Sequence, residues 1–221
     1  MKDVFLIGDS ITMAYADKVG ELLGDDVKIW RTASDMSNYE VENARWTGYT
    51  LNNLARHMWL QKLPKKFDAI HWNNGIWDTV IRYPEDGCFT SPDEYARNIG
   101  RIARELTKLS DNVIFATTIP PRVDEFIDVR YGFDFVNRYH EDTIKYNEIA
   151  KEVLSEYGVI IEDMYSLVLP ERETYISERD NTHLTDAGVE ACAQLHRSTH
   201  SLGRIQQPAT HHLVHTIWLV A

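Results

Sequence analysis

A chain of 221 residues, 43% apolar and 26% charged, is long enough for one α/β domain with a substantial core and has the composition of a soluble globular protein. A net charge of −11 argues against nucleic acid or an anionic membrane surface as partner, because Lys65 and Lys66 stand together without basic neighbours. No run approaches the roughly 20 apolar residues of a membrane span.

Met1-Lys2-Asp3 leads into an apolar segment without a leader pattern, so the cytoplasm is the expected compartment. Cys88 and Cys192, far apart and without metal-ligand spacing, are expected as free thiols.

Val4-Phe5-Leu6-Ile7 reads as a buried strand ending at Gly8, followed by a helix from Ile11 to Leu23 with Gly24 as its stop. Val27 to Trp30 is a second strand, and Leu51 to Leu60 a helix with Leu51, Leu54, Ala55 and Met58 on one face. Ala69 to Trp72 is a third strand. Ser91-Pro92-Asp93-Glu94 opens a helix to about Leu109, with Ser91 as N-cap and Pro92 at the first helical position. Val113 to Ala116 is a fourth strand, Tyr139 to Tyr157 a helix, Val159 to Ile161 a fifth strand, and Thr185 to about Arg197 the last helix. Short apolar strands alternating with amphipathic helices predict one domain over residues 1–200, built on a parallel sheet covered on both faces. In such sheets the chemistry sits at the carboxyl ends of the strands. Residues 201–221 lack a period and are set apart as a tail of unassigned role. His211 and His215 have helical ligand spacing there, with His212 beside them, but no acidic partner, and no metal site is expected.

Three polar segments follow strands, and a fourth precedes the last helix. Gly8-Asp9-Ser10-Ile11 places a serine on a strand-to-helix turn, where the hydroxyl is presented and backbone N–H groups point outward. The same residues also suit a helix cap. Asn43 through Thr50 follows the second strand and includes Gly48, where a backbone N–H can approach a ligand. His71-Trp72-Asn73-Asn74-Gly75-Ile76-Trp77-Asp78 ends the third strand and offers side-chain amide donors, or a plain turn. Asp180-Asn181-Thr182-His183 precedes the last helix. Its carboxylate can fold back onto the imidazole and leave the other ring nitrogen for a serine.

In this order the four segments resemble the blocks of the SGNH (GDSL-like) hydrolases over residues 3 to about 197. The resemblance implies a flavodoxin-like three-layer α/β/α sandwich of about five parallel strands in the order 2-1-3-4-5. It implies Ser10 as nucleophile, His183 as base and Asp180 as its orienting carboxylate. The backbone N–H groups of Ser10 and Gly48 would form the oxyanion hole. The family's third block, Gly-x-Asn-Asp, becomes Gly75-Ile76-Trp77-Asp78 here. The third donor is therefore expected from Asn73, or else Asn74, with the Trp77 N–H as a substitute. Asp9, Arg45, Trp46, Trp77 and Arg122 are expected around the substrate, the aromatic rings either stacking on a sugar or packing as rim, and Arg122 otherwise pairing with a neighbour. The implied activity is hydrolysis of short acyl esters, of a saccharide or another small molecule, without cofactor. A lysophospholipase, an acyl-thioesterase or a non-catalytic carbohydrate binder are the alternatives.

Overall fold

Five apolar segments of the chain become neighbours in one parallel sheet. The computed structural model describes residues 1–35, 40–41, 43–60, 63–128 and 136–203. In chain order it contains β1 (Lys2–Ile7), α1 (Ser10–Leu23), β2 (Val27–Arg31), β3 (Ala33–Asp35), β4 (Glu40–Val41), α2 (Thr47–Leu60) and β5 (Ala69–Trp72). These are followed by α3 (Pro92–Leu106), β6 (Val113–Ala116), β7 (Glu125–Asp128), β8 (Val136–Tyr139), α4 (His140–Leu154), β9 (Ile160–Glu162), α5 (Met164–Val168), α6 (Arg172–Tyr175) and α7 (Asp186–Gly203). The sheet order is β2-β1-β5-β6-β9, all parallel. Counting only these five strands, that is the 2-1-3-4-5 order expected. β3–β4 and β7–β8 are separate antiparallel ribbons that the apolar pattern does not announce.

Alternation along β1 divides the core. Val4 and Leu6 pack with Ile11, Tyr15 and Val19 of α1, Met164 of α5 and Cys192 of α7. Phe5 and Ile7 point to the opposite face, against Leu54 of α2, Ile99 and Ile102 of α3, and Ala150 and Leu154 of α4. Both faces of the sheet are therefore covered, which gives the three layers. Cys88 and Cys192 are free thiols, as expected. Among the described residues no helix is long and apolar enough to cross a membrane. The His211 and His215 pair lies outside the described residues.

The helix ends show where sequence and structure differ. Ser91 Oγ accepts the Glu94 N–H, so α3 starts as its cap residues predict. Helix α2 begins at Thr47, four residues before the expected Leu51, because a distant carboxylate caps it. Asp78 accepts the Thr47 N–H at 3.1 Å and the Thr47 hydroxyl at 2.7 Å. Helix α7 continues to Gly203, beyond the expected Arg197.

Candidate active site

The turn after β1 is held by backbone hydrogen bonds from two other segments. Ala44 N–H donates to Gly8 O at 2.9 Å, and Asn73 N–H donates to Ile7 O at 2.9 Å. The second and third polar segments are thereby brought against the serine turn. Ser10 is the first residue of α1, and its predecessor Asp9 is the N-cap.

The loop carrying His183 is anchored separately. Ser177 N–H donates to His183 O at 2.8 Å, and Arg122 N–H donates to Asn181 O at 3.1 Å. Asn181 holds a left-handed φ of 55°, which turns the chain between Asp180 and His183. Asp180 Oδ1 accepts the N–H groups of Thr182 (3.0 Å) and His183 (2.9 Å), while Oδ2 lies 2.9 Å from His183 Nδ1. Burial works to raise the Asp180 pKa, but the backbone and side-chain hydrogen bonds of His183 outweigh it and hold the carboxyl below its ordinary value. An ionised carboxylate only accepts, so Nδ1 carries the proton and Nε2 presents a lone pair. Ser10 Oγ lies 2.9 Å from that Nε2. The structure thus brings Ser10, His183 and Asp180 into one hydrogen-bonded chain across 173 residues of sequence separation.

First-turn N–H groups of a helix lack intrahelical acceptors. Ser10 stands in the first turn of α1 and Gly48 in that of α2, so both can offer such a group. At Gly48 the Trp46 indole nitrogen sits 2.8 Å from where a Cβ would stand, so the indole takes the space a side chain would fill. Gly75 adopts φ +148°, and a Cβ there would meet Thr118 Oγ1 at 2.1 Å. Only glycine fits at the end of β5.

Several expected site residues have other partners. The Asn73 amide donates to Ala116 O at 2.9 Å and is buried. The Asn74 amide donates to Arg45 O at 2.8 Å, and its carbonyl accepts from Thr50 Oγ1 and Trp72 Nε1. Both side chains pin the end of β5 to its neighbours, each with one of its two amide N–H groups. Asp9 is fully buried and accepts the Ile11 N–H at 2.9 Å, so it caps α1 and is closed to a substrate. Burial pushes its pKa up to about 7, against the Ile11 hydrogen bond and the charges of Arg138 and His183. Arg122 donates to the backbone oxygens of Glu173 and Ile176, and so braces the His183 loop from behind. Arg45, with φ 54°, stacks its guanidinium over Tyr49 at 4.8 Å. Trp46 and Trp77 do line a cleft, together with Val80, Arg82, Phe89 and Arg138.

Sequence reasoning missed Asp78 and Arg138. Asp78 is buried, with its pKa raised to about 6 by desolvation against hydrogen bonds from Thr47 and Thr90. Its carboxylate fixes the helix end that carries Gly48. Arg138, delivered by the β7–β8 ribbon, donates from Nη1 to Thr182 Oγ1 at 2.7 Å, beside His183. The Asp that closes the Gly75-Ile76-Trp77-Asp78 pattern was the available signal for the first; nothing local marks the second.

Away from this site, His71, Glu162 and His196 form a fully buried cluster between β5, β9 and α7. His71 Nε2 lies 3.0 Å from Glu162 Oε1, and His196 Nδ1 lies 3.4 Å from Oε2. Their ligating atoms lie within 4.8 Å of one another, the spacing at which such side chains can also hold a metal ion.

Comparison with known proteins gives the class of fold. No family model and no curated protein matches the chain. Solved structures do. LAE5, an α/β hydrolase from the metagenome of Lake Arreo, Spain, superposes with a TM-score of 0.68 at 12% identity, covering 90% of this chain and 95% of LAE5. The lipase/acylhydrolase from Enterococcus faecalis gives 0.65 at 18% identity, covering 95% and 100%. Axe2, an acetylxylan esterase from Geobacillus stearothermophilus, gives 0.66 at 15% identity, covering 90% and 94%. The chain therefore has the fold of these hydrolases over nearly its whole length.

Proposed function

We propose that this protein is a serine ester hydrolase of the SGNH type, acting through an acyl-enzyme on short acyl esters, acetyl esters of saccharides foremost. The observation that carries the reading is the chain of two 2.9 Å contacts from Ser10 through His183 to Asp180. It lies at the carboxyl end of β1, where sheets of this kind place their chemistry. The fold neighbours support the class, and serine-to-alanine and histidine-to-alanine variants of Axe2 are described as catalytic mutants of that enzyme.

In the proposed reaction the Ser10 hydroxyl attacks the ester carbonyl and passes its proton to His183 Nε2. Asp180 holds the imidazolium that forms. The N–H groups of Ser10 and Gly48 stabilise the oxyanion. His183 then gives the proton to the departing alkoxide, leaving acetyl on Ser10. Water, deprotonated by the same nitrogen, releases the carboxylic acid and restores the serine.

Hydrolysis of p-nitrophenyl acetate, butyrate and octanoate by wild type and Ser10→Ala tests this. The expected outcome is turnover of acetate and butyrate that the substitution abolishes. A preference for octanoate would move the substrate to lipids or long-chain thioesters. Equal rates in both proteins would remove Ser10 from the mechanism.

A further inference from the structure

The cleft beside the serine carries a charge that hydrolysis of a neutral acetyl ester does not use. It encloses about 400 Å³, solvent included, between Trp46, Trp77, Val80, Arg82, Phe89 and Arg138. Trp46 places it next to Gly48, and Arg138 places it next to Thr182 and so to His183.

The aromatic rings form a ridge with cations at both ends. Tyr49 and Trp46 have centroids 5.4 Å apart, and Trp46 meets Phe89 edge-on at 5.2 Å. Arg45 lies over Tyr49, and Arg82 lies over Phe89 at 5.3 Å. Flat apolar ring faces of this kind suit the faces of a sugar.

Arg82 and Arg138 bring two guanidinium groups to one cleft of a protein whose net charge is −11. Arg138 gives one N–H to Thr182, and its charge faces the buried Asp9. Arg82 is exposed, and among the described residues no carboxylate pairs with it. A guanidinium presents a planar fork of donors that matches a carboxylate in two parallel hydrogen bonds. On a surface this acidic, a cation held over a ring at the mouth of the cleft selects an anion electrostatically and repels nothing that is neutral.

We infer that the cleft recognises a carboxylate-bearing saccharide, so that the substrate is an acyl ester of a uronic acid, its ring on the Trp46–Phe89 ridge and its carboxylate on Arg82. This rests on the serine-esterase reading above and narrows its substrate.

Acetate release from the O-acetylated methyl glucuronoside and the O-acetylated methyl glucoside, with p-nitrophenyl acetate alongside, tests it in wild type and Arg82→Gln. Wild type is expected to favour the glucuronoside by about tenfold or more in kcat/KM, the loss of one charge-assisted hydrogen bond. That preference should shrink as salt is raised and collapse toward unity in Arg82→Gln. Equal kcat/KM on the two sugars, or a preference that survives the substitution, overturns the inference while leaving the esterase intact. So does turnover of p-nitrophenyl acetate without turnover of either sugar. If all three esters are inert and Ser10 also resists fluorophosphonate, the esterase reading falls and takes this one with it.

Discussion

Two imidazole–carboxylate pairs in this protein have nearly the same geometry and opposite surroundings. His183 and Asp180 meet at 2.9 Å with side chains 49% and 23% exposed. His71 and Glu162 meet at 3.0 Å with both at 0%. At the first pair the second ring nitrogen reaches a hydroxyl at the protein surface. At the second it faces the core, without a hydrogen-bond partner among the described residues. The contact distance alone therefore says little about function. A proton can be exchanged with substrate and water only where they reach the ring, and the buried pair ties β5 to β9 instead.

The carboxyl groups of both pairs are held below their ordinary values, whereas two other carboxyls near the serine are raised. Burial tends to raise Glu162, but the charge of His71 and the hydrogen bonds of His196 and His71 hold it far below its ordinary value. His196 is held below its own ordinary value by burial and by His71. Near the serine, burial prevails, and Asp9 and Asp78 are raised to about 7 and about 6.

The largest separation between the two regions is expected from substitution of the exposed pair. Ser10→Ala or His183→Ala should lower kcat for p-nitrophenyl acetate by on the order of 10⁴-fold or more, with no change in the urea midpoint. Glu162→Gln should do the reverse. It breaks the buried contacts of His71 and His196 with their shared carboxylate and is expected to cost about 3 kcal/mol in urea unfolding, while kcat per folded molecule stays at the wild-type value. If Glu162→Gln lost activity and kept its stability, the division of labour would be wrong.

A smaller effect comes from pH. A carboxyl raised on folding contributes stability below its unfolded pKa, and that contribution is lost as pH rises through the folded value. For Asp9 the loss runs from about 4 to about 7. Glu162 and His196, both lowered, contribute stability at high pH that is lost as pH falls. Asp9→Asn should therefore flatten the decline in urea midpoint between those pH values and leave the acid limb in place. An unchanged profile would mean that the Asp9 carboxyl is not titrating in that range. The smallest effect belongs to Arg122→Ala, which removes the side-chain hydrogen bonds to Glu173 O and Ile176 O that brace the segment leading to the His183 loop, and is expected to lower kcat about tenfold through a misplaced His183. An unaltered kcat would show that the loop holds its geometry without it.

What could be read from the chain follows the range of the forces. The apolar alternation of Val4 to Ile7 and the Ser91-Pro92 cap are local, and both predict their elements. The contact of Ser10 with His183 and Asp180 was legible because a serine at the end of β1 and an Asp-x-x-His before the last helix each have a chemical type that matches one task. The anchoring contacts of Asn73 and Asn74 were not legible because an amide takes whichever acceptor the neighbouring segment offers, here Ala116 O and Arg45 O. Asp78 as the cap of α2, Arg138 against Thr182, and Glu162 between two histidines depend on contacts that the fold alone creates. No window of sequence contains both partners.

The central claim is that Ser10 is an activated nucleophile. The most direct test treats the folded full-length chain with a fluorophosphonate and maps the modified residue by mass spectrometry, with His183→Ala as control. The account predicts a single adduct on Ser10, formed rapidly in wild type and far more slowly without His183. A folded protein that stays unlabelled, or is labelled elsewhere, or reacts equally well without His183, would contradict it.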